Sequence, residues 1–449
     1  MSQADTAGDD GRPFRHKLDW QNPDFYDMAQ IEAEMHRVFD ICHGCRRCFN
    51  LCDSFPRLFD LIDESPTGEL DSVPSSAYKP VVDACTLCDM CFMTKCPYVP
   101  PHEFNLDFPH LMLRYRAAEL RLGKSHEMAD ELAKTDRNGR LAGLAAPIAN
   151  WAMDRGNHFT RTILEKVADV ARDAELPAYN LQTFQQQALD APKINHSAPA
   201  FGRKAVLYAT CFVEYHNAGI GKALQAVLAH NGVETEISYP GCCGMPQLEQ
   251  GDISDVAAKA RAVAKALKPY IEAGYRVVAP VPSCALMLKF EWPLILPDDP
   301  DVLLLSKHTS DGSEYIVDIA KKEGLAPGLG SLEGGVTVHI ACHARAQNMG
   351  QKASELMRLL PDTKVDVVER CSGHGGSWGV KTEFFEVAIK VGKPAARQAA
   401  KNDSAFVASE CPLATPHIIQ GIERLGGDKP LPAQGHPIEL FAKAYGLAP

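Results

Sequence analysis

Residues 205–211, AVLYATC, form a short apolar run that ends at a cysteine. Helical periodicity follows over about 217–230, and a second short run, ETEISYP, ends at residue 240. The turn GCCGMP (241–246), a helix over about 254–273 and the run RVVAPVPSC (276–284) complete the pattern. Strands that alternate with helices of this length are typical of a parallel α/β sheet. The pattern predicts an α/β domain over about 201–330.

The same pattern recurs in the last part of the chain. The runs VTVHIAC, KVDVVERC and AFVASEC end at Cys342, Cys371 and Cys411, and helices are expected over about 351–360 and 384–400. Equivalent positions of the two copies stay about 130 residues apart, which indicates an internal duplication. A second α/β domain is therefore predicted over 331–449.

The two copies do not carry the same cysteines. The first copy has Cys211, Cys242, Cys243 and Cys284. The second copy has only Cys342, Cys371 and Cys411, because Ser372 stands opposite Cys243 and Ala414 stands opposite Cys284. Conversely, Val281 of the first copy stands opposite Cys411.

Eight of the fifteen cysteines lie between residues 42 and 96, in two C-x2-C-x2-C triplets that are each followed by a fourth cysteine. Thiolates at this spacing can reach three iron corners of a cubane cluster, and the fourth iron needs a more distant ligand that typically crosses over. The sequence thus predicts two 4Fe-4S clusters. We expect the first on Cys42, Cys45, Cys48 and Cys96, and the second on Cys85, Cys88, Cys91 and Cys52.

Two details depart from the bacterial ferredoxin pattern. Four residues rather than three separate Cys91 from Cys96, and Cys52 is followed by Asp53 rather than proline. Zinc is the alternative metal for such a cysteine-rich region, but zinc sites use paired C-x2-C knuckles and do not need equally spaced triplets. The spacing favours iron–sulfur clusters.

Five segments follow from these patterns. An acidic tail and a lead-in helix occupy 1–35, and a helical, ferredoxin-like domain with both clusters occupies 36–110. A helical spacer and linker (111–200) precedes the two α/β domains, 201–330 and 331–449. Within the spacer we expect a helix over about 111–122 and an exposed, proline-punctuated linker over 177–200.

Composition narrows the class of protein. The 449 residues carry a formal net charge of -11, which argues against a nucleic-acid partner. No secretory signal is visible at the N-terminus, so reduced thiols and a cytoplasmic location are expected. No apolar run reaches the roughly 18 residues of a membrane-spanning helix, so contact with the inner face of a membrane would be peripheral.

The cysteines of the first copy, Cys211, the Cys242-Cys243-Gly244 turn and Cys284, resemble the cysteine-rich CCG domain of heterodisulfide reductases. Two ferredoxin motifs ahead of two such domains resemble the iron–sulfur subunits of anaerobic glycerol-3-phosphate dehydrogenase and of glycolate oxidase, and the cluster-binding subunit of heterodisulfide reductase. The resemblance implies an α+β multidomain protein. In that family a complete domain has five thiolates for a noncubane cluster that reduces disulfides, and neither copy here is complete.

The two incomplete copies lead to different predictions about iron–sulfur binding. Four thiolates suffice for one cubane, so the first copy is a candidate third iron–sulfur site. Three do not suffice unless His343 or His374 supplies a nitrogen ligand. The alternatives are that the second-copy cysteines are small buried hydrophobes and that the two histidines are polar turn or cap residues.

The resemblance implies an electron-transfer subunit. Electrons would enter from a flavoprotein dehydrogenase subunit, pass both 4Fe-4S clusters and reach a redox site in the duplicated domains, where a quinone or another acceptor is reduced. One alternative is a disulfide or thiol redox enzyme. Another follows from CHARAQN (342–348) and CSGHGG (371–376), which are similar to a branch that donates electrons to rubrerythrin-type diiron proteins. The third alternative is a scaffold protein whose clusters are structural. The sequence identifies no catalytic residue.

Overall fold

The computed structural model of the protein describes residues 13–124 and 127–447, without the side chain of Glu127. The predicted acidic tail lies outside the described residues. The N-terminal region is helical, as expected, and ends in the helix that follows the eight clustered cysteines. Its helices are α1 (Met28–Cys45), α2 (Ser54–Asp63), α3 (Lys79–Asp83) and α4 (Phe108–Arg121).

Helix α1 shows why these elements form. Ile31, Met35 and Phe39 recur at helical spacing and are fully buried. The Asp27 side chain caps the helix by accepting from two backbone N–H groups of the first turn. The helix ends at Cys45, because Arg46 takes the left-handed conformation (φ 52°).

The spacer is a series of short helices, as predicted. They are α5 (Glu127–Ala133), α6 (Thr135–Gly143), α7 (Ala146–Met153), α8 (His158–Ala168) and α9 (Phe184–Gln187). The prediction of an exposed linker over 177–200 was wrong at α9. Phe184 is fully buried there, and its ring lies so close to Gly221 that a Cβ on that glycine would come within 2.6 Å of it.

The first α/β domain contains a four-stranded parallel sheet in the order β2-β1-β3-β4. Its elements are β1 (Lys204–Tyr208), α10 (Thr210–Tyr215), α11 (Ala218–His230), β2 (Glu234–Ser238), α12 (Met245–Glu249), α13 (Ile253–Glu272), β3 (Arg276–Ala279), α14 (Pro282–Leu286), α15 (Trp292–Ile295), α16 (Pro300–Lys307), β4 (Thr309–Asp311) and α17 (Gly312–Lys322). A π-helical turn, Met287–Glu291, joins α14 to α15.

The second α/β domain repeats this topology in the order β6-β5-β7-β8, again all parallel. Its elements are β5 (Val336–His339), α18 (Cys342–Ala346), α19 (Lys352–Met357), β6 (Val365–Val368), α20 (Phe385–Asn402), β7 (Phe406–Ser409), α21 (Ala414–Leu425), β8 (Ala433–Gly435) and α22 (Pro437–Ala444). The repeated strand order confirms the predicted duplication.

Each domain adds a fourth strand that the sequence pattern does not reveal. Strand β4 is Thr-Ser-Asp and β8 is Ala-Gln-Gly, so neither has the apolar run that marks the other strands. Both pair along one side only, with β3 and β7 respectively. Their strand conformation comes from that pairing rather than from intrinsic propensity. Among the described residues, no helix combines the length and apolar character that crossing a membrane requires.

Three neutral histidines, of which His339 and His436 are buried and His216 is half-buried, make the stability depend on pH. Burial lowers the pKa of His216, His339 and His436 to about 4 each. Below pH 6.5 the unfolded chain binds protons at these groups and the native protein does not, so stability falls as the pH falls from 6.5 towards 4. Each histidine contributes up to about 3 kcal/mol to this loss.

Urea unfolding between pH 7 and pH 4.5 measures this dependence. In His339→Gln we expect a shallower loss of stability below pH 6.5. The amide has no titrating proton and can replace the hydrogen bonds of His339 with Ser409 and the Arg370 carbonyl. An unchanged slope in a variant that is folded at pH 7 would contradict the assignment.

Candidate metal centres

The first thiol set lies where α1 ends. Cys42 and Cys45 belong to its last turn, Cys48 follows that turn, and Cys96 comes from the loop before α4. All four line one small cavity together with apolar and aromatic side chains. Burial, together with the Cys96 and Cys45 thiols, raises the pKa of Cys48 to about 12. The structure thus brings Cys96, and not Cys52, to the first triplet.

The second thiol set lies at the start of α2. Cys52 is half-buried, and the backbone N–H groups of Ser54 and Phe55 donate to its sulfur. Burial and then the thiols of Cys88 and Cys85 raise the pKa of Cys52 well above its usual range. Burial and then Cys88, Cys85 and Cys52 do the same for Cys91. The fourth cysteine of each motif therefore lies with the triplet of the other motif.

The third thiol set is buried in the first α/β domain, where the loops after β1, β2 and β3 meet. The Sγ atoms of Cys211 and Cys242 are 3.7 Å apart, and those of Cys243 and Cys284 are 3.2 Å apart. Such convergence is typical of the carboxyl ends of parallel strands. Contacts with the Cys211 and Cys243 thiols hold the pKa of Cys242 well below its usual range.

Two donors face this third set. The backbone N–H of Gly244 donates to the Cys242 sulfur over 3.5 Å. The buried hydroxyl of Thr135 lies beside Cys211 and Cys242 and finds no hydrogen-bond partner of good geometry in the described part of the chain. Donors directed at thiolate sulfur would tune the reduction potential of an iron–sulfur cluster bound here.

The fourth thiol set occupies the equivalent place in the second α/β domain. Burial and then the thiols of Cys88, Cys371 and Cys411 raise the pKa of Cys342 well above its usual range. Cys371 is exposed, and its sulfur accepts from the Gly373 N–H over 3.4 Å. The presence of Cys88 among these neighbours shows that the fourth set faces the second.

The four sets adjoin one another. Cys48 of the first set lies close enough to Cys91 of the second to raise its pKa. In the same way, Cys88 of the second set raises the pKa of Cys342 in the fourth. Gln347 connects the fourth set to the third, because its amide donates to the carbonyls of Pro282 and His343 over 3.2 Å each.

As they stand, no three His, Cys, Asp or Glu side chains in the described ranges close around a single metal ion. A cluster takes each thiolate on a different iron atom and needs a wider arrangement than one ion does. The first three sets each supply four thiols, as a cubane requires. The fourth supplies three.

The two predicted histidine ligands lie beside the fourth set but face different surroundings. The Nε2 atom of His343 is buried without a partner among the described residues, near Asp89 and Glu291. His374 accepts from the Gly376 N–H and packs edge-on against His417. Burial lowers the pKa of His374 to about 3, so its imidazole is neutral.

A cavity of about 630 Å³ lies between the two α/β domains, close to the cysteine-bearing loops. Phe212, which follows Cys211, and Leu413, two residues after Cys411, both line its wall. His374 and His417 line it as well. A crevice outside the carboxyl ends of parallel strands is where α/β proteins bind small ligands.

Two largely buried charged groups, Arg15 and Glu249, were missed by the sequence analysis. Arg15 donates to both carboxylate oxygens of Asp89 over 2.7 and 2.9 Å, and also to Asp107 and Glu291. Glu249 lies near Cys411 and beside Gly376, and burial raises its pKa to about 7. Both are single charged residues far from their partners in the sequence, so no local pattern marks them.

Comparison with known proteins identifies the repeated domain. The family of the CCG cysteine-rich domain matches residues 205–289 and 336–415. Lactate utilization protein A of Bacillus pumilus (strain SAFR-032) is 31% identical over 187 residues, which cover 40% of this chain and 75% of that protein. Lactate utilization protein A 2 of Bacillus mycoides (strain KBAB4) is 31% identical over 193 residues, with the same coverage.

Removing the buried guanidinium tests how the cysteine loops are held. In Arg15→Ala, Asp89 and Glu291 lose their buried cation, so the free energy of unfolding should fall by about 3–5 kcal/mol. Arg172→Ala is the matched control, since Arg172 pairs with Glu165 at the surface, and it should change the free energy of unfolding far less. Chemical denaturation measures both. Equal losses would show that the network around Arg15 does not hold the loops.

Proposed function

Because the chain belongs to the family of proteins with the CCG cysteine-rich domain, we propose that it is an electron-transfer subunit of an iron–sulfur oxidoreductase. The observation that carries this proposal is the continuity of the four thiol sets from the first triplet to the interdomain cavity. Iron–sulfur clusters, when bound, transfer single electrons. The chain supplies their ligands, the N–H donors directed at sulfur and the cavity for an acceptor.

The proposed electron path passes the four thiol sets in a defined order. The ferredoxin-like first set, on Cys42, Cys45, Cys48 and Cys96, includes the partly exposed end of α1 and is suited to receive electrons from a partner. The second set lies between the first and fourth, and the third and fourth lie near the cavity. Exposure at one end and a ligand cavity at the other are what a relay requires.

The name of the relatives suggests the donor. They are called lactate utilization proteins, so we propose that a dehydrogenase of a small 2-hydroxy acid, with a flavin as its hydride acceptor, delivers electrons to this chain. The neutral His374 and His417 line the cavity where a quinone or another small acceptor would bind. A diiron protein is the alternative acceptor, and it would bind at the surface rather than enter the cavity.

A disulfide reductase is the second candidate. The short Sγ–Sγ distances within the third set favour it, because thiols so close can exchange with a disulfide. Each copy lacks one or more of the five cysteines of a complete domain. Electron paramagnetic resonance of the reduced protein with a disulfide substrate separates the two functions, since only the reductase should show a substrate-dependent signal.

Iron content tests the cluster assignments. Protein purified without oxygen should contain about twelve irons if the first three sets each hold a 4Fe-4S cluster, and about eight if only the N-terminal sets do. Cys243→Ser should then lose about four irons. Cys411→Ser, in the set with three thiols, is the matched control and should lose none. A Cys243→Ser variant with full iron content would exclude the third cluster.

Filling the cavity tests the acceptor site. In Leu413→Trp the larger ring should occupy the cavity and slow reoxidation of the dithionite-reduced protein by a short-chain quinone about tenfold. Leu359→Trp, at a partly exposed position outside the cavity wall, is the control and should leave the rate unchanged. Stopped-flow absorbance measures both rates. Equal rates in the two variants would place the acceptor site elsewhere.

A further inference from the structure

Helix α21 presents polar side chains to the interdomain cavity. Pro416, His417, Gln420 and Glu423 recur at helical spacing, and all four line the cavity. Apolar side chains cover other parts of the lining, among them Phe212, Ile220 and Phe385. Apolar walls with a few convergent polar groups are typical of a site for a small molecule.

Two of the polar side chains on α21 are buried with an atom that is not used in the fold. The Nε2 atom of His417 and the Oε1 atom of Gln420 find no hydrogen-bond partner in the described part of the chain. The two residues are only 6% and 4% exposed. Because buried polar atoms are nearly always hydrogen-bonded, unpaired atoms in the wall of a cavity point to a ligand that pairs with them.

Hydrogen bonds within the protein fix which atoms of the wall donate and which accept. The Gln420 amide nitrogen donates to the Asp173 carbonyl over 2.5 Å, so Oε1 is a free acceptor. Nδ1 of His374, which also lines the cavity, accepts from the Gly376 N–H over 3.0 Å. The proton of this neutral imidazole is therefore on Nε2, which is a donor. His417 is neutral as well, and its Nε2 donates in one tautomer and accepts in the other.

The charges of the cavity favour a neutral ligand. Among the described residues that line it, Arg155 is the one lysine or arginine, and it is paired with Glu423 over 3.0 Å. Glu175 and Glu439 line the cavity too, so carboxylates outnumber the cation. An anion would be buried beside these carboxylates without a free cation, which costs far more than burying a neutral molecule.

We propose that the cavity binds both redox forms of a neutral quinone, with His374 and His417 at its oxygen atoms and Gln420 as the group that recognises the reduced form. A quinone carbonyl only accepts hydrogen bonds, whereas a hydroquinone hydroxyl also donates one. His374 therefore suits the carbonyl, Gln420 pairs with the hydroxyl, and His417 pairs with either by changing its tautomer.

The same groups disfavour a disulfide as the ligand. A disulfide has no hydrogen to donate and its sulfur atoms accept only weakly, so it would leave Gln420 and His374 without good partners. That the quinone is the electron acceptor rests on the proposed function. Its binding in the cavity does not.

Equilibrium dialysis of the holoprotein without oxygen tests the proposal. Protein with oxidised clusters is dialysed against a short-chain ubiquinone, and dithionite-reduced protein against the matching ubiquinol, so that no electrons are exchanged in either measurement. Gln420→Met should weaken binding of the ubiquinol about fivefold, because one hydrogen bond is lost, and leave binding of the ubiquinone unchanged. His417→Phe should weaken binding of both forms.

Gln398→Met is the matched control. Gln398 also donates from its amide to a backbone carbonyl, that of Val367, but does not line the cavity. This variant should bind both forms as the unmodified protein does, and circular dichroism and iron content show that each variant is folded. A loss in Gln420→Met that is equal for the two forms, or no loss for either, would overturn the proposal.

Two ring compounds test the preference for a neutral ligand. Anthraquinone with one hydroxymethyl group and anthraquinone with one sulfonate share the ring and differ in charge. The oxidised protein should bind the neutral compound more than about tenfold more tightly, because the sulfonate would lie near Glu175 and Glu439. Equal binding of the two compounds, or tighter binding of the sulfonate, would contradict the neutral ligand.

The outcomes separate this ligand site from the proposed function, because dialysis measures binding without electron transfer. If both forms bind as expected and the ubiquinone does not reoxidise the reduced protein, the site stands and electron transfer to a quinone is wrong. If the ubiquinone reoxidises the protein while no binding depends on Gln420, the site is wrong and the electron-transfer function stands.

Discussion

The largely buried guanidinium of Arg15 joins three segments that are distant in the sequence. Asp89 belongs to the second cysteine triplet, Asp107 caps α4, and Glu291 ends the π-helical turn that continues from α14. The bonds from His110 and Arg15 overcome the cost of burial and hold the pKa of Glu291 at about 2. A charge buried at this depth is stable only with all its partners, so the cysteine loop is fixed to the helix that carries Cys284.

The two copies of the α/β domain differ in the thiols that they bring together. Both have the same sheet, and both place cysteines at the carboxyl ends of their strands. The first copy closes four thiols into a buried set of its own. The second copy has no counterpart of Cys243 or Cys284, and its Cys342 faces Cys88 of the N-terminal region instead. Loss of ligands in one copy thus accompanies a contact with another thiol set.

Burial also sets the charge near the cavity. His374 is neutral because burial, and then the neighbouring His417, disfavour its charged form. Burial raises the pKa of Glu249 to about 7, although Arg116 and Lys381 act in the opposite direction. The ends of the thiol path are therefore unlike each other. One is partly exposed at α1, and the other lies at the interdomain cavity, where neutral histidines stand beside the Arg155–Glu423 ion pair.

The sequence by itself determined the parallel α/β class, the duplication and the residues that could bind iron, because these depend on local periodicity and cysteine spacing. It missed β4 and β8, which are strands only through pairing with β3 and β7. It also missed Arg15 and Glu249, which owe their character to partners far along the chain. Only the tertiary structure decided that the fourth thiol set faces the second and where the cavity lies, since each requires segments distant in sequence to pack together.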